Sequence, residues 1–185
     1  MKNFVLIIII SLSVNVYGQN KKVSESYSDL ISVEGTNFVI ASIEKRSKSF
    51  SIKSSRLLFI NTKTGDTNQI NFPENTIIRK IEQIKIDSLG INLILVQAKS
   101  VDLDGKNGIN WNDPTQLYIL SYDGTKQIKA TQDNYFLRGW VLNKNTGRLV
   151  ITGKKDSNNN KKSDKEDKNE IHIFDLLLMK LVFKI

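Results

Sequence analysis

A unit of short β-rich segments occurs three times in this chain, and that repetition limits its possible folds more than any other feature. Leu95-Val96-Gln97-Ala98-Lys99-Ser100-Val101-Asp102, which leads to Gln116-Leu117-Tyr118-Ile119-Leu120, aligns without a gap on Leu149-Val150-Ile151-Thr152-Gly153-Lys154-Lys155-Asp156, which leads to Glu170-Ile171-His172-Ile173-Phe174. The offset is about 54 residues. Phe38-Val39-Ile40-Ala41-Ser42 and Arg56-Leu57-Leu58-Phe59-Ile60 form an earlier copy, and Asn61, Ser121 and Asp175 take the same place in the three units. Runs of four to seven residues rich in Ile, Val, Leu and Phe, bounded by Gly, Asn, Asp and Thr, predict strands. A repeat must bury its apolar face against its neighbours, so the three units are expected to stack.

Each unit contains further strand signals. Turns at Thr64-Gly65-Asp66 and Asp123-Gly124-Thr125 lead to Gln69-Ile70-Asn71-Phe72 and Gln127-Ile128-Lys129. The third copy has Leu176-Leu177-Leu178 at that turn, with no Gly, before Lys180-Leu181-Val182-Phe183. Ile84-Lys85-Ile86 and Trp140-Val141-Leu142 supply an opening arm in copies two and three. Four strands per unit match the size of a propeller blade. Ile77, Ile78, Ile81 and Ile84 form a helix-like stripe, read here as loop plus strand. The fold class is therefore all-β, with three tandem four-stranded blade-like repeats forming a partial β-propeller. A curled antiparallel β-sandwich or barrel is the alternative.

Met1 to Gly18 carry a charged start at Lys2, an apolar run from Phe4 to Val16 and a small residue at the cut, the layout of a signal peptide. The run of about 14 residues, broken by Ser11, Ser13 and Asn15, is short for the roughly 20 that span a bilayer. Residues 1–18 are thus read as a signal peptide, 19–29 as a linker and 30–185 as a single β-repeat domain, with repeats near 30–76, 77–131 and 132–185. Cleavage leaves no transmembrane segment. With 0 Cys, the domain must be held by its core alone. Together these features imply a periplasmic or secreted bacterial protein.

The order Trp140, Gly147, Leu149-Val150-Ile151, then Ile171-His172-Ile173-Phe174-Asp175 resembles the WD40-like repeat of TolB-type β-propellers. Gly90, Leu93-Ile94-Leu95-Val96, then Leu117-Tyr118-Ile119 follow the same order. The resemblance covers roughly residues 30–185, lacks the family's Ser-Pro-Asp-Gly turn and implies an architecture without any family activity. Propellers close with about four to eight blades, so three leave two open edges. A homodimer closing a six-bladed ring, or a protein partner, is the implied remedy.

The long loops of copies two and three carry the chemistry. In the first, Asp102, Asp104, Asn110 and Asp113 stand at positions 1, 3, 9 and 12. In the second, Asp156, Asn158, Asn160, Asp164 and Asp167 stand at positions 1, 3, 5, 9 and 12. Oxygen side chains at this spacing converge on one point, as a calcium loop requires. Ile109 at position 8 completes a resemblance to EF-hand-type loops, closest to those of dockerins and of integrin-type propellers. Several residues depart from that pattern: Lys106 at position 5, Asn107 and Lys161 at position 6, Asp at position 12, and Pro114 where an EF-hand helix would begin. Calcium is the expected cofactor.

In copy one the corresponding loop, residues 44–56, is basic, which points to an anionic glycan or envelope component. His172 is the lone histidine and lies within a strand, where packing is its expected role. Trp140 is read as blade core, and Trp111 as a loop residue able to stack on a sugar. The lysine-rich stretch 154–168 has no aromatic, which argues against nucleic acid. Neither Gly-x-Ser-x-Gly nor His-Glu-x-x-His occurs. The sequence is thus read as an exported binding or interaction module with calcium-stabilised loops. A calcium-dependent hydrolase using Asp102/Asp104 or Glu166/Asp167, or a half-propeller subunit working as a dimer, is the alternative.

Overall fold

The computed structural model describes residues 25–46 and 52–185. The segment read as a signal peptide and the tip of the basic loop, residues 47–51, lie outside them. The first sheet comprises β1 (Glu25–Ser32), β2 (Phe38–Arg46), β3 (Ile52–Asn61) and β4 (Thr67–Asn71). The second comprises β5 (Ile77–Ile86), β6 (Ile91–Lys99), β7 (Gln116–Ser121) and β8 (Gln127–Lys129). The third comprises β9 (Tyr135–Asn143), β10 (Arg148–Lys155), β11 (Lys168–Asp175) and β12 (Lys180–Lys184). Each sheet is an antiparallel meander with its strands in chain order. Three four-stranded blade-like units are therefore present, and they do not close on themselves. Among the described residues no helix is long and apolar enough to cross a membrane.

The three sheets stack. Ile40, Leu57, Phe59 and Ile70 of the first pack with Ile94, Val96, Tyr118 and Leu120 of the second. The opposite face of the second sheet, with Leu95, Leu117 and Ile119, packs with Leu149, Ile151 and Phe174 of the third. Side chains alternate between faces along a strand, so the middle sheet must be apolar at nearly every position. This explains the unbroken run Leu93-Ile94-Leu95-Val96 in β6 and Leu117-Tyr118-Ile119-Leu120 in β7.

Several boundaries differ from the sequence reading. β1 begins at Glu25, inside the stretch read as a linker, and supplies the first copy with its opening strand. Ile77–Ile86 is one strand throughout. A bulge between Ile78 and Lys80 puts Ile78 and Ile81 on the side of the first sheet, while Ile84 and Ile86 face the third. A bulge and a change of face thus produced the three-residue steps that looked helical. The gap-free alignment of copies two and three also fails by one residue. Tyr118 pairs with Val96 and His172 with Ile151, so the returning strands are offset by 54 residues but the outgoing strands by 55.

The turns after β3, β7 and β11 share one device. Asn61 Oδ1 accepts the N–H of Lys63 at 3.0 Å, Ser121 Oγ accepts those of Thr125 and Lys126, and Asp175 Oδ1 accepts those of Leu177 and Leu178 at 3.0 Å. A side-chain oxygen that caps the turn allows the third copy to dispense with Gly. Met179 takes the left-handed conformation there, at φ 52°. The bonds from Leu178 and Leu177, with Arg148 beside them, hold the Asp175 carboxyl below its ordinary range.

Candidate metal centre

Both Asp/Asn loops connect the second and third strands of their sheets, and the same bonds shape them. At position 12, Asp113 accepts the N–H of Leu103 on Oδ1 (2.9 Å) and of Asn110 on Oδ2 (2.8 Å). Asp167 accepts those of Ser157 (3.2 Å) and Asp164 (2.9 Å). At positions 1 and 3, Asp102 and Asp104 both accept the N–H of Lys106, as Asp156 and Asn158 both accept that of Asn160. At position 9, Asn110 Oδ1 accepts the N–H of Asn112, and Asp164 Oδ1 that of Glu166. Five backbone N–H groups at equivalent positions therefore point at equivalent side-chain oxygens, although the residue types differ. A loop this rich in polar backbone needs such partners, because unpaired buried N–H groups are costly.

The clamp at position 12 lies deepest. Asp113 and Asp167 are each 4% exposed. In an EF-hand this position closes the metal shell. Here both carboxylate oxygens already bind the loop's own backbone, and each keeps a free lone-pair direction.

The loops differ in donor chemistry. Asp102, Asp104 and Asp113 bring carboxylate oxygens within 4.8 Å of one another. Three carboxylates this close repel one another, and a hard cation would relieve that repulsion. Asn110, whose side-chain oxygen lies in the same turn, would be a fourth donor. In the second loop, Asn160 turns its amide N–H onto Asp164 Oδ2, and the Asn158 amide approaches the same oxygen at 3.5 Å. An amide hydrogen therefore stands where a cation would. Asp156 accepts a second backbone bond, from Lys161, on its other oxygen. The Asn160 contact and the Glu166 N–H hold the Asp164 carboxyl below its ordinary range. By donor chemistry the first loop fits a calcium ion better than the second.

The sequence reading missed the lysines beneath the loops. Lys99, 5% exposed at the end of β6, donates its ammonium to the Asp113 carbonyl, and Lys154 in β10 donates to that of Asp164. Burial, then the charge of Arg79, lowers the Lys99 pKa, with Asp113 opposing. The available signal was a Lys near the end of the second strand in both copies, offset by 55 residues and hidden by the gap-free alignment. The two loops are neighbours, and Asp104, Asn112, Asp113, Phe136, Lys161 and Lys162 line a cleft of about 320 Å³ between them. Trp111 is 68% exposed, with the Arg79 guanidinium 5.7 Å from its ring centre. Trp140 packs against the core between the second and third sheets. His172 is 1% exposed, stacks on Tyr135 at 4.5 Å and bonds Glu170 at 2.8 Å, a packed arrangement.

Three stacked four-stranded meanders define a propeller-like chain. The β-propeller domain of the trilobed protease from Pyrococcus furiosus, described as having an open velcro topology, superposes on 87% of this chain and 42% of its own, at 14% identity and a TM-score of 0.45. An acylaminoacyl peptidase from Pyrococcus horikoshii superposes on 88% of this chain and 25% of its own, at 13% identity and a TM-score of 0.45. The chain spans less than half the length of either. No protein-family model matches it, and no curated protein matches it.

Proposed function

We propose that this chain is an exported binding or interaction module, built from TolB-like, WD40-like blades, whose EF-hand-like loop Asp102–Asp113 is clipped by calcium. The triad Asp102, Asp104 and Asp113 carries this reading, because its carboxylates stand within 4.8 Å on a backbone held for them. The loop Asp156–Asp167 is its companion site, weaker because amides replace two carboxylates. Calcium would neutralise the triad and supply rigidity, leaving the adjoining cleft and Trp111 to contact a ligand. The basic loop of the first copy would favour an anionic glycan or envelope component.

Thermal melting in calcium against chelator tests the metal. At a Kd of ~10⁻⁴ M and ~1 mM free calcium, one site adds about 1.4 kcal/mol. That raises the midpoint by about 3–6 °C. Asp102→Ala should abolish most of the shift. A wild-type chain that melts identically in calcium and chelator would remove the metal from this proposal.

A further inference from the structure

The outward face of the third sheet has the composition of a covered face. Opposed residues of neighbouring antiparallel strands share a face. On the first sheet, the row facing the second runs through Ile31, Ile40 and Phe59. On the second, the equivalent row facing the third runs through Leu95, Ile119 and Ile128. Ile40, Phe59, Leu95 and Ile119 are no more than 1% exposed, because a sheet covers each. The equivalent row of the third sheet is Val141, Val150, Ile173 and Phe183, apolar on all four strands. Val141 is 63% and Phe183 53% exposed. Ile171 and Ile185, 38% and 74% exposed, extend the patch through a backbone-bonded pair.

The other end of the stack carries the complementary face. Tyr118 and Leu120 of the second sheet turn back onto the first, and Phe174 of the third turns back onto the second. The same face of the first sheet presents Val39, Leu58 and Ile60, with Tyr27, 69% exposed, opposite Ile43. The chain thus joins a forward face to a back face twice and leaves one of each unmatched.

We propose that the forward face of the third sheet docks on the back face of the first sheet of a second copy, and reciprocally, so that two chains close a ring of six sheets. A two-fold operation satisfies both unmatched faces at once. It also repeats the sheet-on-sheet packing already present at both internal interfaces. Pairing two third sheets would satisfy only one face of each chain. This inference does not depend on the metal.

Light scattering on the purified chain, with sedimentation across the micromolar range, tests it. The wild type is expected at twice the chain mass. Val141→Lys and Tyr27→Lys alter exposed residues at opposite ends of the stack, and each should halve that mass without changing the far-ultraviolet spectrum. Mixing the two variants should restore a mixed dimer, since one forward face and one back face remain intact. A monomeric wild type overturns the proposal. So does a dimer that withstands both substitutions, or one that Tyr27→Lys leaves intact, which would indicate third-sheet pairing. Should Val141→Lys misfold, Phe183→Lys probes the same row.

Discussion

The two Asp/Asn loops show how one backbone can carry two different interiors. Both accept the same five N–H groups at positions 1, 3, 9 and 12. In Asp102–Asp113 the side chains crowd three carboxylates together. In Asp156–Asp167 an amide donates to the carboxylate instead. The first interior therefore carries uncompensated charge, and the second satisfies itself. Shape in these loops comes from the backbone bonds, whereas affinity for a cation comes from the few positions those bonds leave free to vary.

The clamp offers the strongest way to break this comparison. Asp113→Ala and Asp167→Ala should each cost about 3 kcal/mol in urea denaturation without added metal, because each strips a charged acceptor from two N–H groups. Similar losses in the two loops would establish the shared scaffold. A loss confined to one would show that the loops are held differently. The donor difference gives a smaller effect. Asn158→Asp with Asn160→Asp should add about 1.4 kcal/mol of calcium-dependent stability, visible as a second increment in the melting shift. No increment would mean that Lys161 and Lys162 oppose a cation whatever the donors.

Protonation supplies the finest probe. Tyr135 precedes β10 in the third sheet and donates its hydroxyl to the Glu170 carbonyl. Burial, then the charge of Glu170, pushes its pKa up to about 12 from 10.0. The folded state keeps the proton that the unfolded chain gives up, so this stability is complete below pH 10.0 and declines toward pH 12. Ultraviolet titration should show this tyrosine ionising after the exposed Tyr27 and Tyr122. At acid pH the sign reverses for Asp164. Its lowered pKa means that any contribution exists above 3.8 and fades as pH falls through the folded value. Carboxyl carbon shifts should place its titration below that of an unperturbed Asp.

Much of the fold was legible in the sequence because strand and turn chemistry are local. Asn61, Ser121 and Asp175 cap equivalent turns, as their alignment suggested, and the middle unit's double-sided apolar strands mark it as the central layer. β5 was less legible, since a bulge breaks the period of two on which strand recognition depends. The loop residues were found from their spacing alone, but the role of position 12 was not. Spacing shows which oxygens come near one another, not what they bond. The lysines beneath the loops were hidden by the one-residue difference between outgoing and returning strands.

The sequence by itself determined three stacked β units, their turns and two loops of converging oxygens, because each depends on neighbours a few residues away. The tertiary structure alone decided that Asp113 and Asp167 clamp backbone, that the two loops share a cleft, and that the third sheet turns an apolar row outward. Those facts depend on which face of each sheet meets another, and a single unpaired residue in a strand is enough to reverse that face.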